Sequence, residues 1–122
     1  MIERPNYLED LISFKEKDLI KIIIGVRGCG KSTLFDLYIE YLLSNGVDKN
    51  QIIRLNLEEY EFDDIVDYKD LYKFVASKLV SDKMNYVFID EVQKVKDFQK
   101  ACDSLYIKKN VDLYITGSNP KL

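Results

Sequence analysis

Gly25-Val26-Arg27-Gly28-Cys29-Gly30-Lys31-Ser32 fits the spacing G-x-x-x-x-G-K-[ST] and follows an apolar run from Leu19 to Ile24 that reads as a buried strand. The chemistry of such a loop is polyphosphate binding. Its glycines let the backbone wrap closely, so that successive N–H groups form an anion nest where the next helix begins. Lys31 would reach the β- and γ-phosphates, and the Ser32 hydroxyl would hold Mg²⁺. The candidate phosphate-contacting set is therefore Gly25, Val26, Arg27, Gly28, Cys29, Gly30, Lys31, Ser32 and the adjoining Thr33.

A second group of reactive types closes another apolar run. Tyr86-Val87-Phe88-Ile89 is followed by Asp90 and Glu91, the form of a Walker B strand. Asp90 is the candidate for orienting the magnesium shell, through water, because Mg²⁺ takes few carboxylates and keeps several waters. Glu91 is then placed to orient or deprotonate an attacking water. A third group follows the run ending Ile115-Thr116-Gly117, where Ser118 and Asn119 compete as the polar group that would touch the γ-phosphate or that water. The acids Glu58, Glu59, Glu61, Asp63 and Asp64 match no metal-loop spacing and read as a solvated connection.

Positioning these groups requires strands that alternate with helices. Tyr7, Leu8, Leu11 and Ile12 suggest a short amphipathic helix over residues 6–14. Leu34, Leu37, Tyr38, Tyr41 and Leu42 give a second helix, stopped by Asn45-Gly46. Gln51 to Leu57 reads as a strand, Asp67 as the N-cap of a helix reaching about Ser81, and Asn85 to Asp90 as a strand. Phe98, Ala101, Cys102, Leu105 and Tyr106 mark a further helix closed by Lys108-Lys109, whose charges complement its dipole. Val111 to Thr116 is the last strand. This alternation calls for right-handed βαβ units and a parallel sheet covered on both faces. Ligands of such sheets sit at the carboxyl ends of the strands, and the polar motifs follow Ile24, Ile89 and Thr116.

The 122 residues suit one domain with a real core, and 47% apolar with 32% charged residues is a globular balance. A net charge of −3 and the absence of His suggest neither a broad nucleic-acid footprint nor a His-ligated zinc site. No apolar run reaches the roughly 18 residues of a membrane span, and no secretory signal opens the chain, so a cytoplasmic setting is expected. Cys29 and Cys102 have neither metal-ligand nor disulfide spacing and are expected to be free thiols.

Taken together, these motifs resemble the additional-strand class of P-loop ATPases, specifically the AAA-plus superfamily. Within it, GVRGCGKSTL, FIDEVQ followed by a Phe-bearing helix, and YITGSN are similar to a family of prokaryotic ATPases. Longer members of that family carry a nuclease-like or winged-helix domain after the ATPase core. The resemblance implies a three-layer α/β P-loop fold with strand order 5-1-4-3-2. It also implies ATP with Mg²⁺, Lys31 and Ser32 on phosphate and metal, Asp90 on the metal, Glu91 on the water, and Asn119 or Ser118 as the sensor. Superfamily members continue through a fifth strand and a lid bearing an arginine finger, so residues 1–122 are expected to form one partial ATPase domain. Strand one would then present an edge for self-association, and any DNA or protein substrate would engage a C-terminal region, by analogy alone. Two rival functions share these motifs. One is a small phosphotransferase, which would lose ATP only with an acceptor present. The other is a non-catalytic nucleotide switch or DNA-associated assembly module, indifferent to Glu91→Gln but not to Lys31→Ala.

Overall fold

The computed structural model describes residues 5–16, 20–24 and 31–117. Along the chain run α1 (Pro5–Ser13), β1 (Lys21–Ile24), α2 (Lys31–Ser44), β2 (Ile52–Asn56), α3 (Tyr68–Lys78), β3 (Asn85–Asp90), α4 (Phe98–Tyr106) and β4 (Val111–Gly117). All strand pairings are parallel, and the sheet order is β1-β4-β3-β2. That is the order the resemblance implied for the first four strands. No helix among the described residues is long and apolar enough to cross a membrane.

Side-chain alternation along β3 builds the two cores. Successive residues of a strand point to opposite faces, so Tyr86 and Phe88 enter one cluster while Val87 and Ile89 enter the other. Every residue of β3 is buried, as expected of a central parallel strand with helices on both sides. On the first face, Leu11 of α1 and Leu34, Phe35, Tyr38 and Leu42 of α2 pack on Tyr86, Phe88 and Tyr114. The Phe88 and Tyr114 rings stack with centroids 4.9 Å apart, and Phe35 meets Phe88 edge-on at 5.1 Å. Each such pair contributes about 0.5–1.5 kcal/mol beyond its buried area. On the second face, Leu71 and Val75 of α3 and Ala101, Cys102 and Leu105 of α4 cover Val87, Ile89, Leu113 and Ile115.

Local signals set most element ends. Gly46 takes φ +93° after α2, where the Val47 amide donates to the Leu42 carbonyl at 3.1 Å and ends the helix. Asp67 caps α3, accepting from the Asp70 amide at 3.1 Å while the Asp70 carboxylate accepts from the Asp67 amide at 3.3 Å. Some details differ from the sequence reading, and α3 ends at Lys78 rather than near Ser81, with Leu79 already extended. Leu37 is 44% exposed, and Phe35, one residue after Leu34, fills the core in its place. Gln51 belongs to a 3-10 turn ahead of β2 rather than to the strand. Helix α4 ends at Tyr106, before the lysines, and the Lys108 ammonium lies 5.9 Å from the Tyr72 ring centre instead of on the last helical turn.

At the amino ends of the strands lies a buried polar cluster. Lys21 of β1 and Asp112 of β4 form an ion pair with side chains only 4% and 0% exposed. The second Asp112 oxygen accepts from the Tyr114 hydroxyl and from the Glu16 amide, both at 2.7 Å. The Tyr38 hydroxyl adds to the chain at 2.8 Å from that of Tyr114. Glu16, at φ +58°, also accepts a hydrogen bond from the Tyr86 hydroxyl. These bonds fasten the segment after α1 under the sheet.

Candidate functional site

The strand register gathers the chemistry at one end of the sheet. Asn56, the last residue of β2, lies opposite Asp90, the last of β3, and Ile24, the last of β1, lies opposite Gly117, the last of β4. The chain therefore enters residues 25–30 beside the strand end from which Ser118 and Asn119 leave. Gly25, Val26, Arg27, Gly28, Cys29, Gly30, Ser118 and Asn119 themselves lie outside the described residues. Lys31 and Ser32 open α2, and Thr33 beside them is exposed.

Asp90 is buried, with 1% of its surface exposed, yet both carboxylate oxygens are engaged. Thr116, fully buried on β4, donates from Oγ1 to Asp90 Oδ1 at 3.0 Å. Arg54 of β2 donates from Nη2 to Asp90 Oδ2 at 3.0 Å and from Nη1 to Asp36 of α2. Two bonds fix the rotation of the carboxylate. Since a carboxylate offers about four lone-pair directions, acceptor capacity remains for a metal-bound water. A carboxylate oxygen is a hard donor, which suits Mg²⁺.

Glu91 follows in the left-handed region, φ +58° and ψ +48°. A non-glycine residue held there stores roughly 1–3 kcal/mol of strain, which the surrounding hydrogen bonds must hold in place. Its amide donates to Thr116 Oγ1 at 3.2 Å, so a single hydroxyl orients both acids of the pair. Glu91 is 8% exposed, and its Oε1 accepts from Gln93 Nε2 at 2.7 Å. The Gln93 Oε1 is buried and has no hydrogen-bond partner among the described residues. Beside this tip an open depression of about 440 Å³ is lined by Asp36, Arg54, Asn56, Glu59, Glu61 and Phe62.

A family model described as an AAA domain matches residues 17–122, a span that contains all these groups. The chain belongs to this AAA domain family. Membership carries an ATPase-type core that binds ATP, usually with Mg²⁺. An uncharacterized protein of Haemophilus influenzae is 42% identical over 123 residues, an alignment that covers all of this chain and 31% of that relative. The chain thus spans about a third of the length of the relative it matches.

Arg54, Thr116, Gln93 and Asp36 of this AAA domain site were not singled out from the sequence. Arg54 interrupts the apolar run of β2 as Ile52-Ile53-Arg54-Leu55, a break in pattern that marks a charge held within the sheet. Thr116 reads as an ordinary strand residue, and only register brings it to Asp90. Gln93 lies two residues after Glu91, and the turn Val92–Lys94 folds it back onto that acid.

Proposed function

We propose that this AAA domain is the ATP-binding core of a Mg²⁺-dependent ATPase. The observation that carries the reading is the buried Asp90-Glu91 pair at the tip of the central strand, alongside the strand ends that lead into Gly25–Ser32 and Ser118-Asn119. Lys31 binds the β- and γ-phosphates and Ser32 provides a metal ligand. Asp90 accepts hydrogen bonds from metal-bound water. Mg²⁺, when bound, offsets the phosphate charge. Glu91 takes a proton from the water that attacks the γ-phosphorus as the bond to the ADP oxygen breaks, and Asn119 or Ser118 contacts the γ-phosphate or that water.

The test is calorimetric titration with Mg²⁺·ATP and Mg²⁺·GTP, for wild type and Lys31→Ala, with phosphate release followed on the same samples. ATP binding that Lys31→Ala abolishes supports the reading, and folded protein that binds neither nucleotide overturns it. In a hydrolysing form, Glu91→Gln should bind ATP yet release little phosphate. The edge of β1, where Ile22 is 49% exposed, is the surface offered for pairing with a second copy. Sedimentation across a wide concentration range tests that pairing, and a clean monomer throughout rejects it.

A further inference from the structure

We propose that Arg54 is the positioning residue that ties the helix opened by Lys31 and Ser32 to the carboxylate at the tip of β3, setting the metal site before the metal arrives. The inference rests on the reading of Asp90 as the magnesium-site acid. Asp36 stands four residues after Ser32 on α2, a single helical turn. One guanidinium joins Asp36 to Asp90, donating Nη1 to the first and Nη2 to the second. Its plane is further located by the Phe35 ring, whose centre lies 5.8 Å from Cζ.

The three side chains differ in exposure in a way that suits this role. Asp90 is 2% exposed, Arg54 24% and Asp36 66%. The inner bond is shielded and geometrically firm, whereas the outer one is screened by water and contributes orientation more than energy. A rigid planar fork can satisfy two carboxylates in fixed directions, which an ammonium cannot. Arg54 also forms part of the wall of the depression shared with Asn56, Glu59, Glu61 and Phe62, so it stands between the strand tip and solvent.

Positioning and plain electrostatics predict opposite signs. Removing a positive charge beside a cation site would by repulsion alone strengthen Mg²⁺ binding. Removing a group that aligns the metal's carboxylate weakens it, by about tenfold or more where such outer partners have been altered. The quantity to measure is the gain in ATP affinity on adding Mg²⁺, from calorimetry in excess EDTA and then in excess Mg²⁺. Arg54→Met is expected to reduce that gain about tenfold while leaving affinity in EDTA within about twofold of wild type, and Arg54→Lys to restore part of it. Asp36→Asn, at the exposed end, is expected to lower the gain by about threefold.

A gain that is unchanged or larger in Arg54→Met overturns the proposal. Should that variant fail to fold, an unchanged gain in Asp36→Asn overturns it instead. Failure of the underlying reading looks different: wild type shows no ATP binding, or Asp90→Asn keeps the full Mg²⁺ gain.

Discussion

The Thr116 hydroxyl donates to Asp90 Oδ1 at 3.0 Å and accepts from the Glu91 amide at 3.2 Å, so one buried side chain on β4 aligns both acids at the end of β3. Thr116→Val keeps the shape but removes both bonds, leaving a buried carboxylate oxygen and a buried N–H short of a partner. Unfolding in urea should show a loss of about 1–3 kcal/mol with an unchanged slope, and Thr116→Ser should recover most of it. A loss within error of zero would mean that water replaces the hydroxyl.

Beneath the other end of the sheet, the Lys21–Asp112 pair is almost wholly removed from solvent. Removing one partner of such a pair leaves an uncompensated buried charge, so Lys21→Met should cost about 3–5 kcal/mol in urea unfolding. Asp112→Asn should also be costly, because the same carboxylate serves the Tyr114 hydroxyl and the Glu16 amide. The double variant should lose less than the sum of the two single losses, and strict additivity would show that the pair is not coupled.

Three phenols in this cluster respond to alkaline pH. Burial pushes Tyr114, Tyr86 and Tyr38 above their ordinary value of 10.0, reinforced at Tyr114 by the Asp112 charge and at Tyr86 by its hydrogen bond to Glu16. The folded chain therefore holds these protons to higher pH than the unfolded chain does. Their contribution to stability is complete below pH 10 and is lost as pH rises further toward the folded values. The urea midpoint should fall above that pH, with phenolate absorbance of these residues appearing together with unfolding. Phenolate signal from all three in the folded protein would contradict the prediction.

Cys102 is 3% exposed on α4, and burial, followed by the nearby Asp103 charge, pushes its thiol up to about 12. Because the thiolate is the reacting species, native Cys102 should resist alkylation at neutral pH. In a Cys29→Ser background, labelling by iodoacetamide should track the unfolding curve. Rapid modification of the native protein would show that α4 opens locally.

Much of the fold was legible because local patterns coincide with tertiary need. The apolar run Tyr86–Ile89 ending in Asp90 gives a strand with both faces buried, and β3 spans Asn85–Asp90 as read. Asp67, and Asn45-Gly46, mark helix ends through hydrogen bonds within a few residues of themselves. Where packing decides, periodicity misled: Leu37 fits the helical spacing, but the aromatic Phe35 takes the core position against Phe88.

The candidate site divides in the same way. The sequence by itself determined the acid pair at the end of an apolar strand, since chain connectivity places Glu91 after Asp90 whatever surrounds them. It also marked Gly25–Ser32 by residue type and spacing. Only tertiary structure decided that Arg54 and Thr116 meet Asp90 and that Arg54 also reaches Asp36, because they come from β2, β4 and α2 and are brought together by parallel register and helix packing. A hydrogen bond needs partners within about 3 Å, and separation along the chain says nothing of that distance until the strands between them have paired.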